Sequence, residues 1–381
     1  MILPLLSLYI HIPWCVRKCP YCDFNSHEAE SIPEQQYIDA LLLDLELDLE
    51  LAQGRELHSI FIGGGTPSLF SANAINKLLC GINTKLSFAK DIEITMEANP
   101  GTAEAVRFKA YQVAGINRLS IGVQSFDDKH LKKLGRIHSA KQAISAVEMA
   151  QSAGFDNVNI DLMHGLPQQT AAEACSDIQQ AIALQPQHIS WYQLTIEPNT
   201  QFYNKPPQLP TEGVLDSTQR AGVELLEKNQ FLQYEISAYT KDHKRSLHNL
   251  NYWRFGDYLG IGAGAHSKIT TASTGSIDRY WKRRQPEHYL NNHDKFIAGT
   301  RVLNQEDLVM EYMMNSLRLN EGFTFSQFEQ HTGLPRDIIA SQLLKLQQRE
   351  LIAIQEERIA TTTLGQRFLD SVLQEFFPDQ D

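Results

Sequence analysis

The chain has no long apolar run, no long block of basic residues and few cysteines, and each shortage excludes a class of protein. No apolar stretch approaches the roughly 20 residues that a membrane-spanning helix needs. With 45 acidic against 34 basic residues, nothing indicates a surface for nucleic acid. The apolar opening MILPLLSLYIHIP lacks the basic start and cleavage signal of a secretory leader, so we interpret it as the approach to a buried strand and expect a cytoplasmic protein.

What is present is typical of a folded globular protein. The 381 residues are 42% hydrophobic and 21% charged, with no excess of glycine or proline that would indicate disorder. This length is too great for one small domain. We predict a first domain over 1–240, a linker region over 241–300 and a small C-terminal domain over 301–381. Cys80 and Cys175 fall in helical patterns and are expected to be buried structural thiols.

Short β-rich segments alternate with segments of helical period along the first 240 residues, which predicts an α/β fold with a parallel sheet. The strands are predicted at 7–12, 59–63, 92–97, 118–124, 158–163 and 188–194. The helices are predicted at 33–52, 72–86, 103–114, 140–153, 171–184 and 212–228. Six such units favour a partial (β/α)6 barrel of the TIM type, and a doubly wound sheet is the alternative that period alone does not exclude. In either fold, the site lies at the carboxyl ends of the strands.

The remainder of the chain has a different pattern. YEISAYT is a candidate extra strand, and the glycine-rich YLGIGAGAHS follows it. Beyond about residue 300 we predict helices and a hairpin, the hairpin in LIAIQEERIAT and the helices at 306–319, 324–330, 335–349 and 364–376. Helices combined with a small hairpin are typical of a winged-helix module.

Three of the five cysteines lie within eight residues, as Cys15, Cys19 and Cys22 of HIPWCVRKCPYCDF. Their odd number and close spacing do not suit a disulfide framework. Thiolates are ligands of iron–sulfur clusters and of zinc, and three on one loop can hold a cubane while leaving one iron open. A closed zinc site needs a fourth ligand, for which His11 and His27 are the nearby candidates. The position after the first strand, at the reactive edge of the barrel, favours the cluster.

The order of the motifs resembles the radical S-adenosylmethionine superfamily. CxxxCxxC follows the first strand, and the glycine triplet of FIGGGTPSLF ends the second. Within the superfamily, YIHIPWCVRKCPYCDF, GGGTPS, MEANP, IGVQSF, LGRIH and NIDLMHGLP resemble, in order, the branch of the oxygen-independent coproporphyrinogen III oxidases and the HemW heme chaperones. This resemblance implies a 4Fe-4S cluster on the three cysteines and bound S-adenosylmethionine. It also implies that a reduced cluster splits this cofactor into methionine and a 5′-deoxyadenosyl radical.

Polar residues that follow the predicted strands are candidates for binding S-adenosylmethionine. Glu97, Gln124 and Asp161 can offer acceptors or amide groups to the ribose or the methionine amine. Arg136 can pair with the methionine carboxylate. A solvated loop would explain each residue alone, but their occurrence together, each in a motif of the family, favours a cofactor site.

The resemblance adds five further residues to this candidate site. Gly64, Gly65 and Thr66, in a turn where glycine permits close approach of a ligand, would meet the methionine amino group. Tyr9 and the backbone of Tyr21 would lie near the adenine. A tight strand-to-helix turn is the alternative explanation of the glycines.

Two departures distinguish the chain from the oxidases of this branch. Their motif continues as CxxxCxxCxC, whereas Phe24 occupies the last position here. The oxidases also carry a long segment before the first strand, and here 14 residues precede Cys15. We therefore expect a radical S-adenosylmethionine protein without coproporphyrinogen oxidase activity.

Residues 248–253 read HNLNYW and resemble the HNxxYW heme-binding motif of the chaperones. Imidazole is a good axial ligand of heme iron, and aromatic rings pack on the macrocycle. In a helix, His248 and Tyr252 would share one face. We predict that His248, Asn249, Tyr252 and Trp253 bind heme, with a capped turn containing buried aromatic side chains as the alternative. His266 is a second candidate ligand that we expect to be structural.

Three functions follow from these motifs. The first is a chaperone that binds heme, a 4Fe-4S cluster and S-adenosylmethionine and transfers heme to an unidentified acceptor, for which a respiratory protein is one option. Contact with a membrane is expected only through that acceptor. The second is radical oxidative decarboxylation of coproporphyrinogen III. The third, a nucleic-acid modifying protein, is suggested only by the winged-helix pattern. Its candidate recognition helix mixes Arg336, Lys345 and Arg349 with Asp337 and Glu350, so we expect no nucleic-acid partner.

Overall fold

The computed structural model describes residues 3–102, 105–241, 243–292 and 295–377. Its strands in these ranges are β1 (Leu6–Ile12), β2 (Trp14–Cys15), β3 (His27–Glu28), β4 (Leu57–Gly64), β5 (Phe88–Ala98), β6 (Arg118–Gln124), β7 (Val158–His164), β8 (His188–Gln193), β9 (Leu232–Glu235), β10 (Ala238–Thr240), β11 (Asp257–Ile261), β12 (His266–Thr270), β13 (Ile277–Lys282), β14 (Ile297–Val302), β15 (Phe323–Thr324), β16 (Ile352–Gln355) and β17 (Arg358–Thr361). Its helices are α1 (Glu34–Leu47), α2 (Ala72–Lys85), α3 (Ala105–Val113), α4 (Asp128–Lys133), α5 (Ala140–Ser152), α6 (Ala171–Ala183), α7 (Gln201–Asn204), α8 (Glu212–Lys228), α9 (Leu247–Trp253), α10 (Pro286–Leu290), α11 (Gln305–Ser316), α12 (Phe325–Thr332), α13 (Asp337–Gln348), α14 (Thr363–Arg367) and α15 (Leu369–Leu373).

The largest sheet in the described residues has the strand order β14-β13-β12-β11-β1-β4-β5-β6-β7-β8-β10-β9. From β1 through β8 its neighbours are parallel and follow chain order, with helices between them. This one-directional order excludes a doubly wound sheet and confirms the partial (β/α)6 barrel. The six strands and six helices predicted for this region are present, although positions 103 and 104, where the third helix was predicted to begin, lie outside the described residues. The candidate strand YEISAYT is part of a hairpin: it contains the end of β9, a turn at 236–237 and the whole of β10.

The segment 241–300, expected to be a linker, contributes strands to the large sheet. β11 pairs in parallel with β1, where Leu259 lies opposite Leu8, and β12, β13 and β14 continue the sheet in antiparallel order. This pairing covers the edge of β1, whose backbone groups would otherwise be left open. The predicted division of the chain into domains stays a prediction, but this segment is built into the barrel sheet.

The barrel strands have one apolar and one polar face. In β1, Leu8, Ile10 and Ile12 are buried in the apolar core beneath the helices. The alternate residues Ser7 and Tyr9 face the interior, where the Ser7 hydroxyl lies 2.7 Å from that of Ser59. The interior of the barrel is therefore partly polar. It supplies the side chains of the candidate site.

Helices α11, α12 and α13 pack with β15, β16 and β17 around a second apolar cluster that includes Tyr312, Phe328, Leu343 and Ile359. This is the winged-helix-like arrangement expected after residue 300, although the predicted last helix is broken into α14 and α15.

Cys80 is exposed on α2, so its expected burial is wrong. Within the described ranges, no helix combines the length and apolar character needed to cross a bilayer.

Candidate functional site

The three clustered cysteines lie on the loop that follows β1, at the carboxyl end of the barrel. Cys15 belongs to β2, which pairs with β3 so that the loop returns on itself. A tight turn, in which Cys22 N donates to Cys19 O at 3.1 Å, brings the other two cysteines together. All three side chains are partly exposed and none is in a disulfide. One loop therefore presents three thiols at the barrel mouth.

Polar groups are directed at each of these sulfur atoms. Thr66 Oγ1 donates to Cys15 Sγ at 3.4 Å, and Arg136 Nη1 donates to Cys19 Sγ at 3.6 Å. Ser26 Oγ lies 3.7 Å from Cys22 Sγ. Burial raises the pKa of the Cys15 thiol, and the Thr66 hydrogen bond acts in the opposite direction. Donors of this kind stabilise the thiolate form that an iron–sulfur cluster requires.

The histidines that could complete a zinc site are occupied by other contacts. His11 Nδ1 lies 2.9 Å from the Tyr9 hydroxyl, and His11 Nε2 lies 2.8 Å from Asn25 O. His27 Nε2 lies 3.2 Å from Asn25 Oδ1. The loop therefore offers three thiolates, while His11 has both ring nitrogens in other contacts and His27 has one, so the donor set fits an open cluster better than closed zinc.

The cysteine loop is anchored by Asn25, a residue that the sequence did not single out. Asn25 Nδ2 donates to Ala263 O and to Arg284 O, each at 2.8 Å. The glycine-rich segment 258–267 was noted in the sequence without a role. At Gly264, whose φ is 84°, a Cβ would lie 2.5 Å from Asn25 Nδ2, so glycine permits this approach. The late strands of the sheet thereby fix the position of the cysteines.

The glycine triplet is explained by packing within the protein. A Cβ on Gly64 would lie 2.4 Å from His11 Cε1, and one on Gly65 would lie 2.5 Å from Trp14 O. The N–H groups of Gly64, Gly65 and Thr66 donate to Glu97 Oε2, Ile12 O and Trp14 O. The carbonyl oxygens of this turn are the groups left to receive an ammonium group.

Glu97 and Asp161 form an acidic pair inside the barrel mouth. Glu97 Oε2 accepts from Gly64 N at 3.1 Å, and Asp161 accepts from Ser120 Oγ at 2.9 Å and from Asn159 Nδ2 at 2.8 Å. Burial and the nearby charge of Asp161 raise the pKa of Glu97 to about 7. Burial also raises the pKa of Asp161. A ligand carrying a sulfonium and an ammonium group would relieve this repulsion, so the pair fits S-adenosylmethionine.

Arg136 and Gln124 complete this edge. Gln124 has a left-handed backbone, with φ 68°, and accepts from the Tyr192 hydroxyl at 3.2 Å. Arg136 Nη2 donates to Gly122 O at 2.7 Å, while its buried Nε has no hydrogen-bond partner in the part of the chain that the structure describes. Backbone strain and an unpaired buried donor are both typical of ligand sites. The open guanidinium nitrogen fits a carboxylate.

The two tyrosines predicted near the adenine lie in different surroundings. The Tyr9 ring is inside the barrel and packs nearly parallel to Phe61, with ring centroids 6.3 Å apart. The Tyr21 ring lies on the cysteine loop, 6.4 Å from that of Phe202. Tyr21 neighbours Arg136 and Cys19, so its backbone is at the cluster edge, whereas Tyr9 lies deeper.

HNLNYW forms α9, which packs against the amino-end half of the barrel, on the side away from the cysteines. His248 is 1% exposed, and its backbone N donates to Glu93 Oε1 at 3.1 Å. Its Nδ1 lies 3.0 Å from Ser59 Oγ and its Nε2 lies 2.8 Å from the Tyr252 hydroxyl. The predicted shared face of His248 and Tyr252 is therefore confirmed. Both ring nitrogens are already hydrogen-bonded, which is the capped and buried arrangement given above as the alternative.

The space beside α9 is small. Tyr252 and Trp253 line a cavity of about 150 Å³ together with Lys268 and Arg279. Pockets that enclose small ligands commonly measure about 300–1,000 Å³. Trp253 Nε1 is buried without a hydrogen-bond partner among the described residues, and the Arg318 guanidinium lies 4.3 Å from the Trp253 ring. Asn249 is half-buried, and its N–H donates to the Ser246 cap.

A chain of hydrogen bonds joins the two ends of the barrel. Asn159, which donates to Asp161, has its Oδ1 2.6 Å from His188 Nδ1. His188 Nε2 lies 2.9 Å from the Tyr234 hydroxyl, and that hydroxyl accepts from Ser246 N, the cap of α9, at 3.2 Å. No local sequence pattern predicted this hydrogen-bond network, because its members are single polar residues on separate elements.

The remaining candidates lie away from both groups of residues. His266 is exposed at the start of β12 and packs on Trp281 with ring centroids 6.5 Å apart. On the winged-helix-like domain, Arg336 pairs with Glu329 and Glu357, and Arg349 pairs with Glu375. These two cations are therefore paired with carboxylates of the same domain, and the absence of a nucleic-acid partner stays a prediction.

Comparison with known proteins agrees with this architecture. Residues 9–180 match the radical SAM superfamily model, and residues 303–368 match the model of the HemN C-terminal domain. The chain has a fold similar to that of Escherichia coli coproporphyrinogen III oxidase (HemN), a radical SAM enzyme, with a TM-score of 0.83 at 23% identity, over 98% of this chain and 90% of the other.

Two relatives named heme chaperone HemW match along nearly their whole length. The protein from Haemophilus influenzae is 50% identical, covering 99% of both chains. The protein from Escherichia coli is 49% identical, also covering 99% of both. The chain belongs to the HemW heme chaperone family of the radical SAM superfamily.

Proposed function

We propose that the protein binds heme and delivers it to an acceptor protein, while holding a 4Fe-4S cluster and S-adenosylmethionine at the carboxyl end of its barrel. The observation that carries this proposal is the identity of half the residues with a heme chaperone along 99% of both chains. The HNLNYW helix supports it from the sequence of this chain. The acceptor is proposed to be a protein that takes up heme as it matures, and a respiratory protein is one option.

At the carboxyl end, Cys15, Cys19 and Cys22 would hold the cluster. Arg136 Nε is placed to pair with a carboxylate, and Glu97 and Asp161 offer negative charge to the sulfonium, amine and ribose of the cofactor. Gly64, Gly65, Thr66, Gln124, Tyr9 and Tyr21 would complete the binding edge. When bound, these cofactors supply one-electron chemistry and a radical source. The protein orients them and excludes water from the barrel interior.

At the other end, His248 is proposed as the axial ligand, with Asn249, Tyr252 and Trp253 against the macrocycle. Because both imidazole nitrogens are hydrogen-bonded, ligation requires His248 to leave Tyr252 or Ser59. Burial lowers the pKa of His248 to about 3, so the imidazole is neutral and its lone pair needs no deprotonation. We therefore propose that heme binding opens α9 from the barrel.

Fewer observations support the alternative function, which is decarboxylation of coproporphyrinogen III. Position 24, where the oxidase motif has a fourth cysteine, is a phenylalanine that is 58% exposed. The likeness to the oxidase at 23% identity concerns the fold alone. We propose that the chain lacks this activity, and product analysis with coproporphyrinogen III tests that separately.

The test is an anaerobic heme titration of the cluster-loaded protein, followed by visible spectra. Wild type, His248→Ala, Tyr252→Phe and His266→Ala are compared at equal cluster content. Wild type should give a saturable Soret band. His248→Ala should shift or weaken it, whereas Tyr252→Phe should bind heme at least as tightly because it frees His248 Nε2. His266→Ala is the matched control at an exposed histidine.

Absence of saturable heme binding by the wild-type protein would overturn the chaperone proposal. If the Soret band were lost in His266→Ala and kept in His248→Ala, the axial heme ligand would be His266 on β12 rather than His248. The chaperone proposal would survive that result, but the role of α9 would not.

A further inference from the structure

A second group of candidate metal ligands lies outside the cofactor edge, between α4 and α6. It consists of Asp127, His130 and Glu173, each offering one ligand atom, and these atoms lie within 4.8 Å of one another. His130 Nε2 is 3.5 Å from Glu173 Oε2 and 4.0 Å from Asp127 Oδ2. Ligand atoms around a tetrahedral zinc ion lie about 3.4 Å apart, given bond lengths of about 2.0–2.2 Å. The widest separation in the group would contract by up to about 1.4 Å to reach this geometry.

The second observation is His130 itself. Its side chain is fully buried, and neither ring nitrogen has a hydrogen-bond partner within the described residues. A buried imidazole with two open nitrogens is costly unless something binds it. Nε2 is the ring nitrogen that faces the two carboxylates.

The carboxylates are held in place by the ends of their helices. Asp127 caps α4, where its Oδ1 accepts from Lys129 N at 2.7 Å, which leaves Oδ2 toward His130. Glu173 forms a capping box at the start of α6, and its Oε2 accepts from Thr170 N at 2.8 Å. Helix capping therefore arranges the donors before any ion arrives.

A third carboxylate adds to the negative field. Asp177 accepts from Phe126 N at 2.7 Å and from Ser125 Oγ at 2.8 Å. Burial, together with the charges of Asp127 and Glu173, raises the pKa of Asp177 to about 6. The one cation that contacts the group within the described residues is Lys129, whose Nζ lies 3.1 Å from Glu173 Oε1. Glu173 Oε2, the oxygen nearer His130, also accepts from Thr170 N and Thr170 Oγ1.

We propose that Asp127, His130 and Glu173 bind one divalent transition-metal ion, of the zinc or manganese class, with water completing its coordination. One imidazole and two carboxylates form a donor set that such ions accept, whereas the cysteine loop is a soft-thiolate site. The ion links α4 to α6. Since the α4 loop continues to Arg136, it also braces the residue that donates to Cys19. The proposal is independent of heme binding.

The test is a manganese titration of the cluster-loaded protein, in which electron paramagnetic resonance measures free Mn²⁺. Manganese disfavours thiolates, so it reports on the carboxylate and imidazole site rather than on the cysteines. Wild type should bind one Mn²⁺ per chain saturably. Asp127→Asn, which preserves the helix cap, and His130→Gln should each weaken binding by about tenfold or more. Lys129→Gln should strengthen it by removing the competing cation.

Asp156→Asn, at a carboxylate that is 85% exposed, is the control and should titrate like wild type. Equal cluster absorbance and circular dichroism establish that each variant is folded. A wild-type protein with no saturable Mn²⁺ site would overturn the proposal. So would folded Asp127→Asn and His130→Gln variants that bind Mn²⁺ as tightly as wild type.

Discussion

The two ends of the barrel differ in whether their polar groups already have partners. At the carboxyl end, Arg136 Nε is buried without a partner in the described structure, and Glu97 and Asp161 repel one another. At the amino end, His248 uses its backbone N–H and both ring nitrogens in hydrogen bonds. A ligand at the first end fills a prepared site, whereas a ligand at the second must break contacts that stabilise the fold.

The largest expected effect is on cluster assembly, which should depend on the cysteines of the loop and not on Cys80. Cys19→Ser should abolish cluster assembly, because one of three thiolate ligands is lost. Cys80→Ser, at an exposed cysteine on α2, should leave it unchanged. Iron and sulfide content after anaerobic reconstitution measures both. Normal iron content in Cys19→Ser would remove this loop as the cluster site.

Substitutions at the amino end of the barrel should change the free energy of unfolding. His248→Ala removes the hydrogen-bond partner of the Tyr252 hydroxyl and one of the two partners of Ser59 Oγ, and it empties a buried position, so we expect a loss of about 2–4 kcal/mol in the free energy of unfolding. His266→Ala, at an exposed ring, should change it by less than about 0.5 kcal/mol. Urea unfolding followed by circular dichroism compares them. Equal stability of the two variants would mean that the hydrogen bonds of His248 at the amino end do not stabilise the fold.

Substitutions at the carboxyl end of the barrel should instead change the affinity for S-adenosylmethionine. Glu97→Gln removes a charge that faces a cationic ligand, and we expect S-adenosylmethionine affinity to fall by about 10- to 100-fold, or about 1.5–3 kcal/mol. Glu93→Gln, which keeps the size of the acceptor for His248 N, should leave this affinity unchanged. Equilibrium binding to the cluster-loaded protein distinguishes them. A similar loss of affinity in both variants would mean that the two ends of the barrel do not act independently in binding S-adenosylmethionine.

The smallest expected effect is a pH dependence. The pKa of Glu97 is raised to about 7, so the carboxyl is largely protonated below this pH and must lose its proton to face a cation. Affinity for S-adenosylmethionine should therefore rise by about tenfold from pH 6 to pH 8 and then level off. In Glu97→Gln the slope should vanish. A slope that persists in that variant would assign the titration to another group.

The local pattern of the sequence predicted the barrel well, because each βα unit depends on neighbouring residues. The strand 118–124 and the helix 212–228 have the predicted bounds. What the sequence did not show was non-local. No local pattern places β11 beside β1, or α9 at the end of the barrel away from the cysteines. HNLNYW predicted a helix with one shared face, but not that Ser59 and Glu93 would occupy it.

The same limit applies to the site. The cysteines, Glu97 and Asp161 were predicted because each sits in a motif near a strand end, and Arg136 was predicted from the LGRIH motif, which follows α4. Asn25, which anchors the cysteine loop, was missed because its partners are backbone atoms of residues 263 and 284. Cys80 was expected to be buried because helical period does not say which face of α2 is covered. Such contacts depend on tertiary structure rather than on local sequence.

The pairing of β1 with β11 has a consequence for the order of folding. The neighbours of β1 are separated from it very unequally along the chain, β4 beginning at Leu57 and β11 at Asp257. During synthesis, β1 and the cysteine loop are therefore made long before the segment that covers their open edge and anchors Asn25. Closing so long a loop is entropically costly and slow. An emerging chain consequently displays its three thiols on an uncovered sheet edge until the last third of the protein arrives, an interval when oxidation and aggregation compete with assembly.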